Sequence, residues 1–253
     1  MIDKCTTKSW ETSLYEPQQL YYNLMGEKIL TDKNVKSAYY MSKYKKSCDS
    51  PAWDGMTRTI LIDGMEQEHA LALIRYHILH GPSGCVKRFD IPKSNGKTRP
   101  ISIYPLLDRV AQWCIMEPLR KACGPLLSPI NHAFLKGKSC KTAFDAFPPA
   151  GEAGYVICGD IHSFFDSVSH SLVRACLWSA GIRDSQLLHT INVTLKTPYK
   201  YPKQPKVRPE QGLPQGAPIS PLLANIILAY MDRYFDALYG DQKLPHMVRY
   251  ADD

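Results

Sequence analysis

Apolar residues recur three and four positions apart in several stretches of this chain of 253 residues. That spacing puts them on one face of a helix, so it predicts amphipathic helices that pack against a core. The predicted helices cover residues 65–80, 106–122, 168–180 and 221–239, and residues 17–46 are expected to be mostly helical as well. Gly181 follows one of these helices, at a position where glycine commonly ends a helix in the left-handed conformation.

Short apolar runs between turn residues predict a hairpin in the first half of the chain. Val86–Pro92 and Arg99–Ile103 have the composition and length of strands. Asn95-Gly96 lies between them, and this dipeptide favours the tight turn of a β-hairpin. Strands and helices alternate along the chain, but no glycine-rich phosphate loop of the βαβ type occurs.

Acidic residues follow two other apolar runs. Tyr155–Cys158 predicts a short strand that delivers Asp160 at its end, and Met247–Tyr250 begins a strand that leads into Asp252 and Asp253. Acidic residues placed in this way can converge on one metal site. Polymerases use two divalent cations, held by carboxylates about 3.5–4 Å apart, to activate a 3′-hydroxyl and to stabilise the leaving pyrophosphate. A helix cap and a solvated turn are the plainer alternatives.

Composition and charge agree with a globular protein that has a polyanionic partner. The hydrophobic content is 44%, and no apolar run approaches the roughly 20 residues needed to cross a bilayer. No export or transit signal is visible at the start of the chain. The formal net charge of +7 suits nucleic acid but is weak evidence by itself. The eight cysteines are scattered without a C-x-x-C pair, which predicts reduced thiols in a cytoplasmic protein.

Several short segments occur in a fixed order from Trp53 to the last residue, and the series is far more specific than any one segment. They are W-D-G-M-T (53–57), I-P-K-S-N-G-K-T-R-P (91–100), D-R-V-A-Q (108–112), H-A-F (132–134), G-K-S (137–139), F-F-D (164–166), L-P-Q-G (213–216) and S-P-L-L-A-N-I (220–226). In this series the chain resembles the reverse transcriptases of bacterial group II introns. Ala217-Pro218 is instead reminiscent of retron enzymes. Intron maturase, retron, CRISPR-associated and phage-defence lineages therefore all stay open.

The resemblance implies an α+β fold, the fingers and palm of a right-hand polymerase. Residues 1–84 would form an N-terminal helical extension and part of the fingers, residues 85–155 the rest of the fingers, and residues 156–253 an incomplete palm. The sequence stops at the second aspartate of the pair, so the fold is expected to be truncated at the catalytic hairpin, with the thumb absent. This chain alone is then expected to be poorly active or inactive.

The catalytic roles of the family fall on three aspartates. The resemblance implies that Asp160 and Asp252 ligate two Mg²⁺ ions, that Asp253 completes the site, and that the main-chain carbonyl of Ile161 adds a ligand. Carboxylate and carbonyl oxygens suit Mg²⁺, which Mn²⁺ can replace. The implied reaction adds deoxynucleotides (dNTPs) to the 3′-hydroxyl of a DNA or RNA primer, copied from an RNA template.

The resemblance also implies a nucleotide site. Phe165 matches the aromatic gate that packs under the sugar and clashes with a 2′-hydroxyl, although plain core packing is an alternative for it. Gln215 matches the residue near the ribose and the templating base pair, with a turn-stabilising amide as its alternative. Lys93 and Arg99 flank the predicted hairpin and match the pair that grips the triphosphate.

Basic residues elsewhere suggest contacts with the template. Lys136 and Lys138 lie in a segment that is of the Arg-Pro-Gly-Arg-Ser type in many group II enzymes, so the resemblance implies template binding there. Residues 198–211 are rich in lysine and proline. Their charge is either a solvated face or a second contact with phosphates.

Three rival functions remain at this stage. An RNA-binding scaffold, such as a maturase that grips intron or other structured RNA, would need no polymerisation. An RNA-dependent RNA polymerase is disfavoured by Phe165 and by Tyr250-Ala251 before the acidic pair. A zinc site built from histidines of one predicted helix lacks an obvious third ligand; these histidines are His69, His77 and His80.

Overall fold

The structure is a computed structural model, and it describes residues 17, 19–82, 84–92, 96, 98–147, 155–239 and 247–253, apart from the side chains of 238 and 239. Helices make up most of it. They are α1 (Asp32–Tyr44), α2 (Arg58–Ile62), α3 (Gln67–His80), α4 (Leu106–Cys123), α5 (Cys140–Asp145), α6 (Phe164–Ser167), α7 (His170–Ser179), α8 (Ser185–Leu195) and α9 (Ser220–Tyr239). A π-helical turn at Met25–Ile29 and 3-10 turns at Lys46–Asp49 and Gly124–Leu126 complete the helical segments.

A small sheet lies beside the helices. β1 (Val86–Pro92) and β2 (Thr98–Ile103) pair antiparallel, with Ile91 opposite Arg99, which confirms the predicted hairpin. β3 (Tyr199–Lys200) adds to the other edge of β1 in the parallel sense, so the strand order is β2-β1-β3. This third strand was not predicted, and it ties the lysine-rich segment over 198–211 to the hairpin.

Helix α4 occupies the centre of the fold, where it packs against α1, α3 and α9. Three of its polar residues are buried, and each has a partner. Asp108 meets His77, the Arg109 guanidinium donates to the carbonyl of Ser50 at 2.9 Å, and Gln112 accepts from the backbone N–H of Ile219 at 3.4 Å. Buried polar groups are costly unless they are paired, so these bonds fix how α4 sits among its neighbours.

Gly181 ends α7 as predicted, with φ +96°. The structure adds a second reason for a glycine here. A Cβ atom at this position would lie 2.1 Å from the carbonyl oxygen of Gln19. The close approach lets Tyr21 form two backbone hydrogen bonds beside the turn, from its N–H to Gly181 at 2.9 Å and from Arg183 to its carbonyl at 2.8 Å. The N-terminal segment is thereby attached to the α7–α8 turn.

Two strand predictions are wrong. Residues 155–158 are not in a strand, and Tyr155 and Ile157 are 96% and 95% exposed. A strand needs a neighbour to accept and donate its backbone hydrogen bonds, and within the described ranges no strand lies beside this segment. Met247–Tyr250 likewise forms only an isolated parallel bridge, from Arg249 to Asn131. Helix α8, capped by the side chain of Asp184, is an element that the sequence pattern did not predict.

Candidate active site

The three predicted aspartates come together at one place. The carboxyl of Asp160 is hydrogen-bonded to that of Asp253, and Asp252 acts on the same carboxyl electrostatically. The backbone N–H of Ile161 donates to the carbonyl of Asp252 at 3.2 Å, which joins the two chain segments that carry the aspartates. Burial, and then the negative charges of Asp160 and Asp252, raise the pKa of Asp253 above its usual value.

The backbone around the aspartates is unusual. Residues 250–253 form a tight turn in which Tyr250 N–H donates to the Asp253 carbonyl at 2.8 Å. Ala251 within this turn has φ +63°, and Ser163, three residues after Asp160, has φ +52°. Non-glycine residues in this left-handed region cost of order 1–3 kcal/mol and cluster at functional sites. The strain on both sides of the carboxylates therefore supports a functional role for the cluster.

A buried ion pair holds the turn against α9. Arg249 donates from Nε and Nη2 to the two carboxylate oxygens of Asp232, each at 2.6 Å, and from Nη1 to the carbonyl of Ala251 at 2.6 Å. Burial raises the pKa of Asp232, and the hydrogen bonds from Arg249 oppose that shift. Sequence reasoning missed this pair. The available signal was a charged residue, Asp232, four positions after Leu228 on the apolar face of α9.

Backbone hydrogen bonds fix the other side of Arg249. Its N–H donates to the carbonyl of Ile130 at 2.9 Å, and its carbonyl accepts from His132 at 2.8 Å. On α9, the side chain of Asn225 donates to the carbonyl of Ala133 at 2.9 Å. The segment around 130–133 thus lies between α9 and the aspartate turn.

The two phenylalanines of the F-F-D motif take different places. Phe164 is buried in the main core, with 6% of its surface exposed, whereas Phe165 is half-buried at the edge of that core. Phe165 lines a cavity of about 300 Å³, and its carbonyl accepts from Leu213 N–H at 2.6 Å. Asp160 and Gln215 are not among the residues that line this cavity.

Gln215 lies directly against the fingers hairpin. Its carbonyl accepts from the backbone N–H of Ser102 on β2 at 2.8 Å. Gly216 has φ +107°, and a Cβ atom there would lie 2.1 Å from the Ser102 carbonyl oxygen. Only glycine permits this contact, so Gly216 sets the position of Gln215 relative to β2.

Of the four cationic residues predicted to bind nucleotide or template, the structure describes three. Lys93 lies outside the described residues. Arg99 is exposed on β2, opposite Ile91. Lys136 is exposed, while the ammonium of Lys138 donates to the carbonyls of Pro129 and Asn131. Because it does so, Lys138 holds its own loop together, and Lys136 is the freer of the two lysines to meet a template.

The histidines of α3 do not share one role. Nδ1 of His77 lies 2.5 Å from a carboxylate oxygen of Asp108, and both side chains are buried. His69 and His80 are exposed, and the ring of His80 lies 4.4 Å from that of Tyr76. The pairing of His77 with Asp108 accounts for this histidine without a metal.

The chemistry of the aspartate cluster suits a hard divalent cation. Carboxylate oxygens are the donors that Mg²⁺ prefers, and the mutual repulsion that raises the pKa of Asp253 is the kind that a bound cation relieves. The Ile161 carbonyl already accepts from Phe164 N–H at 3.1 Å and keeps a second lone pair. Within the described ranges, no group of three acidic, histidine or cysteine side chains is already arranged to hold a metal ion.

A β-hairpin and, on other segments, a turn of paired aspartates with a third aspartate beside it are the features of the fingers and palm of a right-hand polymerase. Solved structures titled as Cas6-RT-Cas1–Cas2 complexes share the fold: 89% of this chain aligns at a TM-score of 0.50 and 23% identity, over 36% and 23% of the two matched chains. The chain belongs to the reverse transcriptase (RNA-dependent DNA polymerase) family, which its residues 91–253 match.

Curated relatives come from several lineages of this family. Protein YkfC of Escherichia coli (strain K12) is 32% identical over 206 residues, which are 77% of this chain and 52% of that protein. The group II intron-encoded protein LtrA of Lactococcus lactis is 31% identical over 59% of this chain and 25% of its own length. Retron Mx162 reverse transcriptase of Myxococcus xanthus is 28% identical over 64% of this chain and 33% of its own length.

The chain spans about half of the length of YkfC and a smaller part of the other two relatives. The similarity therefore covers the part of those proteins that corresponds to the segments described above. Separately, none of the helices in the described part of the chain is long and apolar enough to cross a membrane.

Proposed function

We propose that this chain carries the nucleotidyl-transfer site of an RNA-directed DNA polymerase. The observation that supports this most is the contact of Asp160 with Asp253, beside Asp252, on a strained turn that a buried ion pair holds in place. Family membership makes RNA-templated synthesis the reaction to which such a cluster is suited. Its partners would be an RNA template, a DNA or RNA primer and dNTPs.

Each predicted site residue would bind a metal ion or a substrate, orient it, or exclude an unwanted group. Asp160, Asp252 and Asp253, with the Ile161 carbonyl, would hold two Mg²⁺ ions, which supply charge stabilisation to phosphoryl transfer and for which Mn²⁺ is a substitute. Arg99 and Lys93 would bind the triphosphate through charge-assisted hydrogen bonds.

The nucleotide's sugar and base would meet the other predicted residues. Phe165 would exclude a 2′-hydroxyl beneath the sugar, and Gln215, held against β2, would lie near the templating base pair. Lys136 and Lys138 would contact the template. The described cysteines are free thiols, which suits a reducing, cytoplasmic setting.

Primer extension tests the proposal. The substrate is poly(rA)/oligo(dT) with dTTP and Mg²⁺, and the chain is assayed alone and as a form extended through a thumb. Asp160→Ala should abolish incorporation in either form. Asp145→Asn, at an exposed acid of α5, is the matched control and should leave incorporation unchanged. A folded extended form with intact aspartates that incorporates no nucleotide would contradict the proposal.

A second candidate function rests on relatives that are named as intron proteins, among them the group II intron-encoded protein LtrA and a putative COX1/OXI3 intron 1 protein of Saccharomyces cerevisiae. In that reading the chain is an RNA-binding scaffold that assists intron splicing and does not need to polymerise. Asp252→Asn separates the two functions. If the chain is a polymerase, this change should abolish polymerisation while leaving RNA affinity intact. If the chain is only a scaffold, the change should have little effect on RNA binding or on splicing support.

A further inference from the structure

An exposed tryptophan lies between two lysines on one face of the fingers sheet. The side chain of Trp53 is 44% exposed. The ammonium nitrogens of Lys87 on β1 and Lys200 on β3 each lie 5.6 Å from the centre of its ring. We call these three residues the Trp53 platform.

The sheet brings the two lysines together. Lys87 and Lys200 are direct partners in the parallel β1–β3 ladder, so their side chains leave the sheet on the same face. Arg88 comes next on β1 and points to the opposite face, where its guanidinium lies 4.3 Å from the ring of Tyr199 and lines the cavity. The platform is therefore separate from the cavity beside Phe165.

The charges around the platform are mainly positive. The segment after Lys200 continues with Lys203, Lys206 and Arg208, all exposed. The acids near these residues in sequence include Glu210, which is exposed, and Asp54, whose carboxylate accepts from the backbone N–H of Met56 at 3.2 Å. Such a surface attracts a polyanion.

A comparison of two interaction energies indicates which ligand the ring of Trp53 would bind. At 5.6 Å, both lysines are near the outer limit of a cation–π contact, which is worth about 0.5–1 kcal/mol at an exposed site. Stacking of a nucleic-acid base on an aromatic side chain is worth about 1–3 kcal/mol. A base therefore outcompetes the lysines for the ring face, and each displaced ammonium gains a phosphate partner.

We propose that Trp53, Lys87 and Lys200 form a binding site for single-stranded nucleic acid, in which the indole stacks on a base and the ammonium groups contact flanking phosphates. The inference builds on the proposed function because it supplies that reaction with a place for an unpaired strand. It does not require catalysis, so it can be tested without nucleotide incorporation.

Fluorescence anisotropy with end-labelled oligouridylate and oligothymidylate at low salt is the test. Trp53→Ala should weaken binding by about 5- to 150-fold, the equivalent of the stacking energy, and Trp53→Phe should retain much of the affinity. Lys87→Gln and Lys200→Gln should each reduce the slope of log affinity against log salt by about 0.7. The two oligonucleotides show whether the strand is read as RNA or DNA.

Trp178 offers a matched control, because it is 48% exposed and carries the Arg183 guanidinium 4.0 Å from its ring. Trp178→Ala should leave oligonucleotide affinity unchanged. Wild-type affinity in Trp53→Ala, or an equal loss in Trp178→Ala, overturns the proposal.

Photocrosslinking of 5-iodouracil oligonucleotides to the wild-type chain removes any dependence on how the variants fold. A crosslink at Trp53 supports the site, and crosslinks found only elsewhere refute it. The Asp160→Ala chain should crosslink equally well. If primer extension fails while this crosslink persists, the polymerase proposal falls and the platform stands.

Discussion

Arg249 and Asp232 form a two-pronged ion pair that is almost wholly buried, with 1% and 0% of the residues' surfaces exposed. The same guanidinium holds the carbonyl of Ala251, the strained residue immediately before Asp252. One side chain thus joins helix α9 to the turn that carries two of the three aspartates. The position of that turn therefore depends on a pair that lies outside the sequence motifs.

Removal of one member of this pair should cost both stability and activity. Asp232→Ala leaves a buried guanidinium without its partner, so the free energy of unfolding should fall by about 3–5 kcal/mol in urea titration. Arg249→Lys keeps the charge but loses the two-pronged geometry, and should destabilise as well. Asp145→Ala, which breaks the exposed pair with Lys141, is the control and should cost about 0.5 kcal/mol or less.

A double replacement separates stability from positioning. Asp232→Leu with Arg249→Met exchanges the pair for apolar side chains, which is often neutral for stability. Incorporation should stay low nonetheless, because the Ala251 carbonyl no longer has its donor. Full activity in a stable double variant would show that the pair has no role in positioning the aspartates.

Gly216→Ala should impair nucleotide binding more than folding. The added methyl group collides with the Ser102 carbonyl, so the loop must move away from β2 and take Gln215 with it. Steady-state primer extension should show a raised KM for the dNTP, with kcat less affected. Gly124→Ala is the matched control, since its φ of −51° is helical and no atom lies within 4 Å of the new Cβ. An unchanged KM in Gly216→Ala would contradict the role given to this contact.

Phe165→Val should relax discrimination between deoxynucleotides and ribonucleotides. A smaller side chain leaves room for a 2′-hydroxyl, so the ratio of kcat/KM for dTTP over UTP should fall about tenfold or more, the equivalent of about 1.4 kcal/mol or more. Phe164→Leu, in the core beside it, should lower the thermal midpoint without changing that ratio. An unaltered ratio in Phe165→Val would assign Phe165 to packing alone, and a wild-type preference for UTP would revive the RNA polymerase reading.

His170 should make the protein less stable in mild acid. Burial lowers its pKa, although the Gly212 carbonyl, which accepts from Nε2 at 3.1 Å, opposes the shift. The unfolded chain then takes up this proton first as the pH falls below about 6.5, the usual pKa of histidine. Above that pH, the contribution of His170 to the unfolding free energy should be fully present. As the pH decreases further, the unfolding free energy should decrease by at most about 1.4 kcal/mol per pH unit for one proton, until the lower pKa of the folded state is passed.

His170→Gln measures this contribution, because glutamine can still donate to the carbonyl of Gly212 without titrating. Urea titrations above and below about pH 6.5 should show a smaller difference in the variant than in the wild type. Equal differences would show that other groups cause the acid sensitivity.

Much of the helical fold followed from periodicity, since α3, α4, α7 and α9 bury one face against a common core. The hairpin followed from its turn residues. The strand prediction over 155–158 was wrong because an apolar run indicates that a segment could be buried, but not which neighbouring segment it would pair with. β3 was not predicted for the opposite reason: a strand of two residues has no apolar run of its own, and it forms because of its partners, β1 and Val207.

The site residues that could be predicted from the sequence are those whose own side chains indicate a chemical role. Asp160, Asp252 and Asp253 stand out by charge and order, and the structure brings them together. Asp232 and Arg249 lie 17 positions apart, so their pairing is not visible until the fold is known. The resemblance assigned the aromatic gate to Phe165, and the structure adds that Phe164 is buried in the core whereas Phe165 is half-buried.

The contact of Gly216 with Ser102 has a mechanical consequence. The backbones of Gly216 and Ser102 are in close contact, and Ser102 donates a hydrogen bond to Gln215. Because of these two contacts, β2 and the loop cannot slide past each other. In the proposed reaction, a swing of the hairpin toward an incoming nucleotide would carry Gln215 along. Closure and contact of Gln215 with the templating base pair would then be one movement, about a hinge outside this contact.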